Sequence, residues 1–230
     1  MVQVANAIQD RGPWLAHSIA ILVLTELVVE RNRSTVPLNK PKGLSIDEAL
    51  GLLAKHFSIG YAKSARRLPQ IAVHATYQCI VPTFDRYRGC RLMPLERLKA
   101  AKRRAGSVGD IDLMRNGIPF EGVEVKLGRR IQMKHVIEAI EKIKTATVAR
   151  YYLLSTADVD PQDAEAIDAK RDEFRRSNGC EIIVNGVLQT LRYYLRLLPS
   201  TTHFLSNYVD GLVEDPDLDY EHREAWNGLF

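Results

Sequence analysis

The chain lacks the features that mark membrane, secreted and zinc-binding proteins. It has three cysteines, and no two of them show the C-x-x-C spacing of a zinc or redox site. Its most apolar segment, residues 14–29, is interrupted by polar residues such as His17 and Glu26. That segment is also shorter than the roughly 20 apolar residues of a membrane span. Since no signal-peptide pattern is present either, we expect a protein of a reducing cytoplasm that is not bound to a membrane.

Strong net charge, internal repeats and low-complexity tracts are also missing. The formal net charge is +4, and the content of 46% hydrophobic and 26% charged residues is ordinary for a globular protein. A charge this small does not by itself identify a nucleic-acid binder. The histidines are scattered and none pairs with a plausible nucleophile, so no histidine-based catalysis is expected.

The chain does contain a short acidic motif that is followed by a lysine. Gly109-Asp110-Ile111-Asp112 is followed, twelve residues after Asp112, by Glu124-Val125-Lys126. Magnesium binds one or two carboxylates and keeps several waters for chemistry. Two or three carboxylates beside a lysine therefore predict metal-dependent hydrolysis of phosphodiester bonds, with DNA as the expected substrate.

The loop of the predicted hairpin decides whether these side chains can meet. Two β-prone runs, 111–114 and 118–125, flank Arg115-Asn116-Gly117. A two-residue turn would pair Asp112 with Glu121 and put Glu124 on the opposite face. A three-residue loop, with Gly117 left-handed beside a bulge, pairs Asp112 with Phe120 and puts Glu124 and Lys126 on the face of Asp112. We predict the three-residue loop or an equivalent bulge.

The alternative is that these charges form the solvated surface of an ordinary α/β protein, because Glu-x-Lys alone is a weak signal. The flanking sequence favours a site. Val123 and Val125 alternate with the two charged residues, so this strand has a buried and a charged side. An amphipathic segment, 130–144, and a β-branched and aromatic run, 150–156, follow. Hairpin, helix and strand in this order begin an α/β sheet with a crossover helix.

On these residues the chain resembles the PD-(D/E)xK nuclease superfamily, over roughly residues 94–190. The resemblance implies an α/β (α+β), restriction-endonuclease-like core: a helix, a three-stranded antiparallel meander, a crossover helix and a further strand, with the mixed central sheet flanked by helices. It makes Glu124 the second acidic residue of the motif and Lys126 its lysine. The family has proline before its aspartate, but Asp112 follows Ile111 and Asp110 follows Gly109. The spacing to Glu124 favours Asp112, and Asp110 is then a second ligand, or the principal one if the strand is bulged.

Four segments are also similar to type II restriction endonucleases of the SacI group: 67–79, 106–112, 150–156 and 185–195. This resemblance implies sequence-specific cleavage of double-stranded DNA to 5′-phosphate and 3′-hydroxyl ends in a prokaryotic cytoplasm. A homodimer acting on a palindromic site and a cognate DNA methyltransferase follow as expected partners. One or two Mg²⁺ would bind Asp112 and Glu124, with the Val125 carbonyl as a third oxygen and Lys126 orienting or activating the attacking water.

Basic residues cluster on both sides of the hairpin, where a phosphate backbone would lie. Solvated helix faces are the alternative explanation for each cluster. The residues that we expect to contact DNA are Lys99, Lys102, Arg103, Arg104, Arg129, Arg130 and Gln132.

We divide the chain into a mainly helical N-terminal region (1–93), a nuclease core (94–200) and a C-terminal helical extension (201–230), expected to form one compact unit. A capping box, Ser45 to Glu48, predicts the start of a helix. The other predicted helices are 13–31, 68–81, 94–104, 161–177, 188–198 and two short ones after 201, with a strand at 181–184 turned at Asn185-Gly186. The family resemblance would let Glu96, on helix 94–104, complete the metal shell, but a solvent-exposed glutamate is the favoured alternative.

Two rival functions are left open by the sequence. One is a structure-selective or repair nuclease of the same fold, such as a junction resolvase. The other is a catalytically silent DNA-binding or scaffold protein that keeps the fold. The recognition sequence, the dimer interface and the number of metal ions are not determined by the sequence, because base readout depends on side chains whose placement requires the fold.

Overall fold

A computed structural model of the protein describes residues 13–34, 37–59, 64–97 and 106–230. The chain divides into two compact units, Met1–Pro37 and Leu38–Phe230. The first unit contains helix α1 (Pro13–Ser34), in agreement with the predicted helix after Pro13. Large apolar side chains of α1, among them Trp14, Leu22 and Leu27, are more than half exposed. Among the described residues, no helix combines the length and apolar content needed to cross a bilayer.

The second unit is a mixed α/β structure built on one sheet of five strands. The strands lie in the order β1-β2-β3-β4-β5, with β1, β2 and β3 antiparallel and β3, β4 and β5 parallel. The elements in chain order are α2 (Ile46–Ser58), α3 (Arg67–Ile80), a 3-10 turn (Asp85–Tyr87), β1 (Cys90–Leu92), β2 (Ile111–Arg115), β3 (Ile118–Lys126), α4 (Met133–Ile143), β4 (Arg150–Ser155), α5 (Ala164–Asn178), β5 (Glu181–Gly186), α6 (Val187–Leu195), α7 (Thr202–Glu214) and α8 (Tyr220–Asn227). A mixed sheet flanked by helices is the fold class that the sequence predicted.

Helices cover both faces of the sheet, because side chains alternate between the two faces along each strand. One face packs residues such as Val123, Val125 and Leu154 into the large core formed with α2, α3, α6, α7 and α8. On the opposite face, Tyr151, Leu153 and Ile182 pack against α4 and α5. We call this second side the crossover face, since α4 and α5 connect the parallel strands.

Capping residues account for several helix ends. Ser45 and Glu48 form the predicted capping box of α2, with the Ser45 hydroxyl accepting the Glu48 N–H at 3.2 Å. Gly179 ends α5 in the left-handed conformation, with φ of 82°. These positions explain why the start of α2 and the end of α5 could be located from the sequence.

Three predicted boundaries were wrong. Helix α5 begins at Ala164 instead of Pro161, because residues 161–163 form a turn in which Asp160 accepts the N–H of Gln162 at 3.3 Å. Strand β5 continues through Asn185 and Gly186 directly into α6, because both residues pair with β4. Residues 94–97 are not helical, and the rest of the predicted helix 94–104 lies outside the described residues.

The predicted segment boundaries at 93/94 and 200/201 both fall inside the second unit. The core of that unit contains residues from each of the three predicted segments, for example Leu53, Val123 and Phe204. A buried ion pair, in which Arg67 Nε lies 2.5 Å from Asp215 Oδ2, also links the first segment to the last. The C-terminal helices therefore contribute to the core that supports the sheet.

Candidate functional site

The hairpin that carries the acidic motif has a two-residue turn. Arg115 pairs with Ile118, and Asn116 and Gly117 between them have φ of 52° and 78°. Positive φ at both central positions is the requirement of a tight hairpin turn, and Asn-Gly satisfies it best. The predicted three-residue loop and the predicted pairing of Asp112 with Phe120 are therefore wrong.

A bulge in β3 nevertheless produces the predicted arrangement of side chains. The register shifts between the pairs Leu113–Glu121 and Met114–Pro119, which makes Phe120 the extra residue. The guanidinium carbon of Arg115 lies 3.7 Å from the centre of the Phe120 ring. Beyond the bulge Asp112 lies opposite Gly122. Gly122, Glu124 and Lys126 are two residues apart along β3, so they face the same side of the sheet. Asp112, Glu124 and Lys126 therefore all belong to the crossover face. This is the arrangement that the alternative of an equivalent bulge predicted.

Glu124 is the centre of a network of ionic and hydrogen-bonded contacts. Its Oε1 accepts a hydrogen bond from Lys126 Nζ at 2.8 Å. Its Oε2 forms an ion pair with Lys142 of α4 and accepts a hydrogen bond from the Tyr151 hydroxyl of β4 at 3.0 Å. Three elements, β3, α4 and β4, therefore fix this carboxylate.

The protonation of Glu124 follows from these contacts. Its side chain is 17% exposed, and burial by itself raises the pKa of a carboxyl group. Hydrogen bonds from Lys126 and Lys142, together with their positive charges, outweigh burial and lower the pKa of Glu124 to about 2. Glu124 is therefore a carboxylate at neutral pH, which is the form that binds a cation.

Asp112 is buried and holds the loop that precedes β2. Its Oδ1 accepts the N–H groups of Val108 at 3.1 Å and Gly109 at 2.9 Å. Two hydrogen bonds to an ionised acceptor order a loop strongly. The carbonyl of Val108 in turn accepts a hydrogen bond from Tyr151 at 3.1 Å. Asp112 and Glu124 are thus connected through the backbone of Val108 and the Tyr151 hydroxyl.

The loop that precedes β2 lies so close to β3 that glycine is required at two positions. A Cβ at position 109 would lie 2.5 Å from the carbonyl oxygen of Val123, and one at position 122 would lie 2.6 Å from Val108 Cγ2. Neither position can accept a larger residue unless the loop moves. Gly109 and Gly122 therefore let residues 108–110 lie directly on the strand that carries Glu124.

Asp110 contacts the backbone immediately after Glu124. Its Oδ2 accepts the N–H of Val125 at 2.9 Å, and its own N–H donates to the Val123 carbonyl at 2.7 Å. In a strand, the N–H and C=O of one residue point to the same edge. The Val125 carbonyl therefore points to the edge of β3 where the Asp110 carboxylate lies. The Asp110 carboxylate, just before the start of β2, thus lies beside the peptide that joins Glu124 to Val125.

The predicted DNA-contacting residues are distributed unevenly. Arg129 and Arg130 are exposed in the segment after β3. Gln132 is the N-cap residue of α4, and its side chain donates to Asp160 at 3.3 Å. Lys99, Lys102, Arg103 and Arg104 lie outside the described residues. Glu96 is half-buried in the non-helical stretch 93–97.

Two residues of the network, Lys142 and Tyr151, were missed in the sequence. Lys142 lies seven residues after His135 on α4, which is two helical turns and hence the same face. The ion pair of Lys142 with Glu124 places this face of α4 beside the site. Tyr151 pairs with Gly122 across the parallel ladder. Helical spacing would have indicated Lys142 once α4 was assigned to the crossover face.

The donor atoms at this edge fit a hard divalent cation that keeps some of its waters. The described residues contain no group of three or more His, Cys, Asp or Glu side chains that could hold a metal ion. The available oxygens are the carboxylates of Asp110 and Glu124 and the carbonyl of Val125. Magnesium accepts such a set, since it binds one or two carboxylates and completes its octahedral shell with water.

Comparison with known proteins adds no further assignment. No protein-family model and no curated protein sequence matches the chain. The fold, the geometry of the hairpin and the charges around Glu124 are therefore the features that bear on function.

Proposed function

We propose that the chain is a Mg²⁺-dependent, sequence-specific endonuclease of the PD-(D/E)xK superfamily, acting on double-stranded DNA as type II restriction enzymes do. The observation that carries the proposal is the bulged hairpin, which puts Glu124 and Lys126 on one face and Asp110 beside the Val125 backbone. The order of elements supports it as well. The meander β1-β2-β3, the crossover helix α4 and the parallel strand β4 follow one another in the order that the resemblance implies. Helix α3 and strand β1 precede residues 94–190, the range in which the resemblance was placed.

The contacts favour Asp110 over Asp112 as the principal metal ligand. Asp112 uses one carboxylate oxygen to order the loop 108–109. Asp110 lies beside the peptide that joins Glu124 to Val125. Asp110, Glu124 and the Val125 carbonyl would hold Mg²⁺, while Asp112 fixes the loop that presents Asp110. This assignment chooses the bulged-strand alternative that the sequence left open.

The chemistry divides between the cation and the protein. When bound, Mg²⁺ supplies an activated water and neutralises charge on the scissile phosphate. Lys126, held beside Glu124 at 2.8 Å, orients the attacking water and stabilises negative charge with its ammonium group. In-line attack on the phosphorus breaks the bond to the 3′ oxygen and leaves a 5′-phosphate and a 3′-hydroxyl.

Binding of DNA and assembly follow from the same proposal. The exposed Arg129 and Arg130 follow β3 directly and would contact phosphates near the site.

Cleavage of both strands of a palindrome needs two active sites, so two copies of the chain are expected. The exposed apolar side chains of α1 are a candidate contact between copies. A cognate methyltransferase would protect host DNA in the prokaryotic cytoplasm.

The first experiment is cleavage of unmethylated phage DNA by the purified protein, with Mg²⁺ and with EDTA. Discrete fragments that require Mg²⁺ are expected, and sequencing of their ends gives the recognition site and the cleavage position. A smear of fragments would instead support a nonspecific or repair nuclease of the same fold.

Matched variants test the assigned residues in the same assay. Glu124→Gln and Lys126→Gln are each expected to reduce the cleavage rate by about 100-fold or more, the usual effect of removing one group that stabilises the transition state. Glu141→Gln and Lys144→Gln change the same charges on an exposed ion pair of α4 and its C-cap. These two controls should cleave at the wild-type rate.

A catalytically silent DNA-binding protein is the second candidate function. Both oxygens of Glu124 are already occupied by lysine ammonium groups and a tyrosine hydroxyl. An ion-paired cluster of this kind can be purely structural. Retardation of DNA on a gel, without cleavage in Mg²⁺ or Mn²⁺, would favour this candidate.

A further inference from the structure

Glu124 is paired with two ammonium groups that come from different elements. Lys126 is two residues along the same strand and contacts Oε1, whereas Lys142 comes from helix α4 and contacts Oε2. One carboxylate therefore balances two positive charges within hydrogen-bonding distance. A divalent cation that binds Glu124 therefore competes with these two ammonium groups for the negative charge of one carboxylate.

The two lysines are not equally easy to displace. The side chain of Lys126 is 16% exposed, and that of Lys142 is 31% exposed. Lys126 shares the crossover face with Glu124 and is held by the pairing of β3 with β4. Lys142 lies near the end of α4, and its flexible four-carbon side chain can turn towards solvent without any change in the backbone. The cation should therefore displace Lys142.

We propose that Lys142 is a built-in competitor of the divalent cation at Glu124. In the metal-free protein its ammonium group occupies Oε2 and keeps the carboxylate in place. Binding of the cation breaks this ion pair and releases Lys142 from Glu124. The inference rests on the proposed function, because it assigns a regulatory residue to the same metal site.

Equilibrium binding of Mn²⁺, followed by electron paramagnetic resonance without DNA, tests this competition. Lys142→Gln should bind Mn²⁺ about tenfold more tightly than the wild type, the effect expected when one competing charge-assisted hydrogen bond is removed. Lys142→Arg keeps the positive charge and should bind Mn²⁺ as the wild type does. Lys144→Gln removes a positive charge at the C-cap of the same helix, where the lysine pairs with Glu141, and should leave the affinity unchanged.

Glu124→Gln separates failure of this inference from failure of the proposed function. If the wild type binds Mn²⁺, Glu124→Gln abolishes binding and Lys142→Gln equals the wild type, the metal site stands and the competition is refuted. Weaker binding by Lys142→Gln would refute it too, since Lys142 would then support the site. If neither the wild type nor Lys142→Gln binds Mn²⁺, both the competition and the proposed metal site are wrong.

Discussion

The hydroxyl of Tyr151 lies 3.0 Å from Oε2 of Glu124. The same hydroxyl lies 3.1 Å from the carbonyl oxygen of Val108, and the tyrosine is fully buried. A single side chain of β4 thus connects the acidic strand β3 with the loop that leads into β2. The position of the loop and the position of the carboxylate are therefore coupled.

Tyr151→Phe should destabilise the protein by about 1–2 kcal/mol, because the Val108 carbonyl and the Glu124 carboxylate lose the one hydroxyl proton that they share, while the ring is kept. The free energy of unfolding in urea measures this effect. Tyr193→Phe is the matched control, since Tyr193 is exposed on α6 and its hydroxyl should contribute little. Equal stability of the Tyr151 and Tyr193 variants would contradict the role of the hydroxyl.

Asp110 and Asp112 should have different roles: Asp110 binds the metal ion, and Asp112 stabilises the fold. Asp110→Asn is expected to weaken Mn²⁺ binding at least tenfold, about the effect of losing one charged ligand, with little change in stability. Asp112→Asn should lower the free energy of unfolding by about 1–2 kcal/mol, because the acceptor of two loop N–H groups loses its charge. Titration of Mn²⁺ and urea unfolding of both variants provide the measurements. The reverse pattern would make Asp112 the principal ligand.

The main elements of the fold could be predicted because each has a local signal. The capping box of α2, the Asn-Gly turn and the alternation of Val123 and Val125 with charged residues all depend on neighbours in the sequence. β5 was partly misjudged for the same reason. Asn185-Gly186 has the composition of a turn, but pairing with Leu154 and Ser155 keeps it in the strand. Long-range pairing there overrides the local preference.

The site was less predictable, because its geometry depends on contacts between distant residues. The bulge at Phe120 involves the stacking of Arg115 and Arg86 on its ring, which no local pattern encodes. Lys142 and Tyr151 reach Glu124 from 18 and 27 residues away in the chain. The prediction that Asp112 and Glu124 share one face of the sheet was correct, although the three-residue loop proposed to produce this arrangement was wrong.

Gly109→Ala should destabilise the protein by about 1–3 kcal/mol, the cost of forcing an extra methyl group into a filled space. The atom in the way is the Val123 carbonyl oxygen at 2.5 Å, which belongs to the backbone and cannot rotate aside. Gly51→Ala is the control, since a Cβ there meets nothing within 4 Å and position 51 is helical. Alanine at position 51 should be neutral or stabilise α2 by up to about 1 kcal/mol. Urea unfolding of both variants measures the difference.

The pH dependence of stability should reveal the ion pairs of Glu124. The pKa of this carboxyl is lowered from 4.5 to about 2 in the folded protein. A lowered carboxyl pKa contributes stability that is fully present above the unfolded value and is lost as the pH falls through the folded value. The contribution is about 3 kcal/mol, since each factor of ten in the acid constant corresponds to about 1.4 kcal/mol.

Urea unfolding between pH 7 and pH 2.5 measures this dependence. The wild type should be more stable than Glu124→Gln above about pH 5, because the carboxyl is then ionised in both the folded and the unfolded chain. Below that pH the difference should shrink steadily, because the unfolded chain takes up a proton that the folded chain binds less readily. Glu141→Gln, which alters an exposed pair with Lys144, should follow the wild type throughout. A constant difference between the wild type and Glu124→Gln would show that the two lysines do not stabilise the ionised carboxylate.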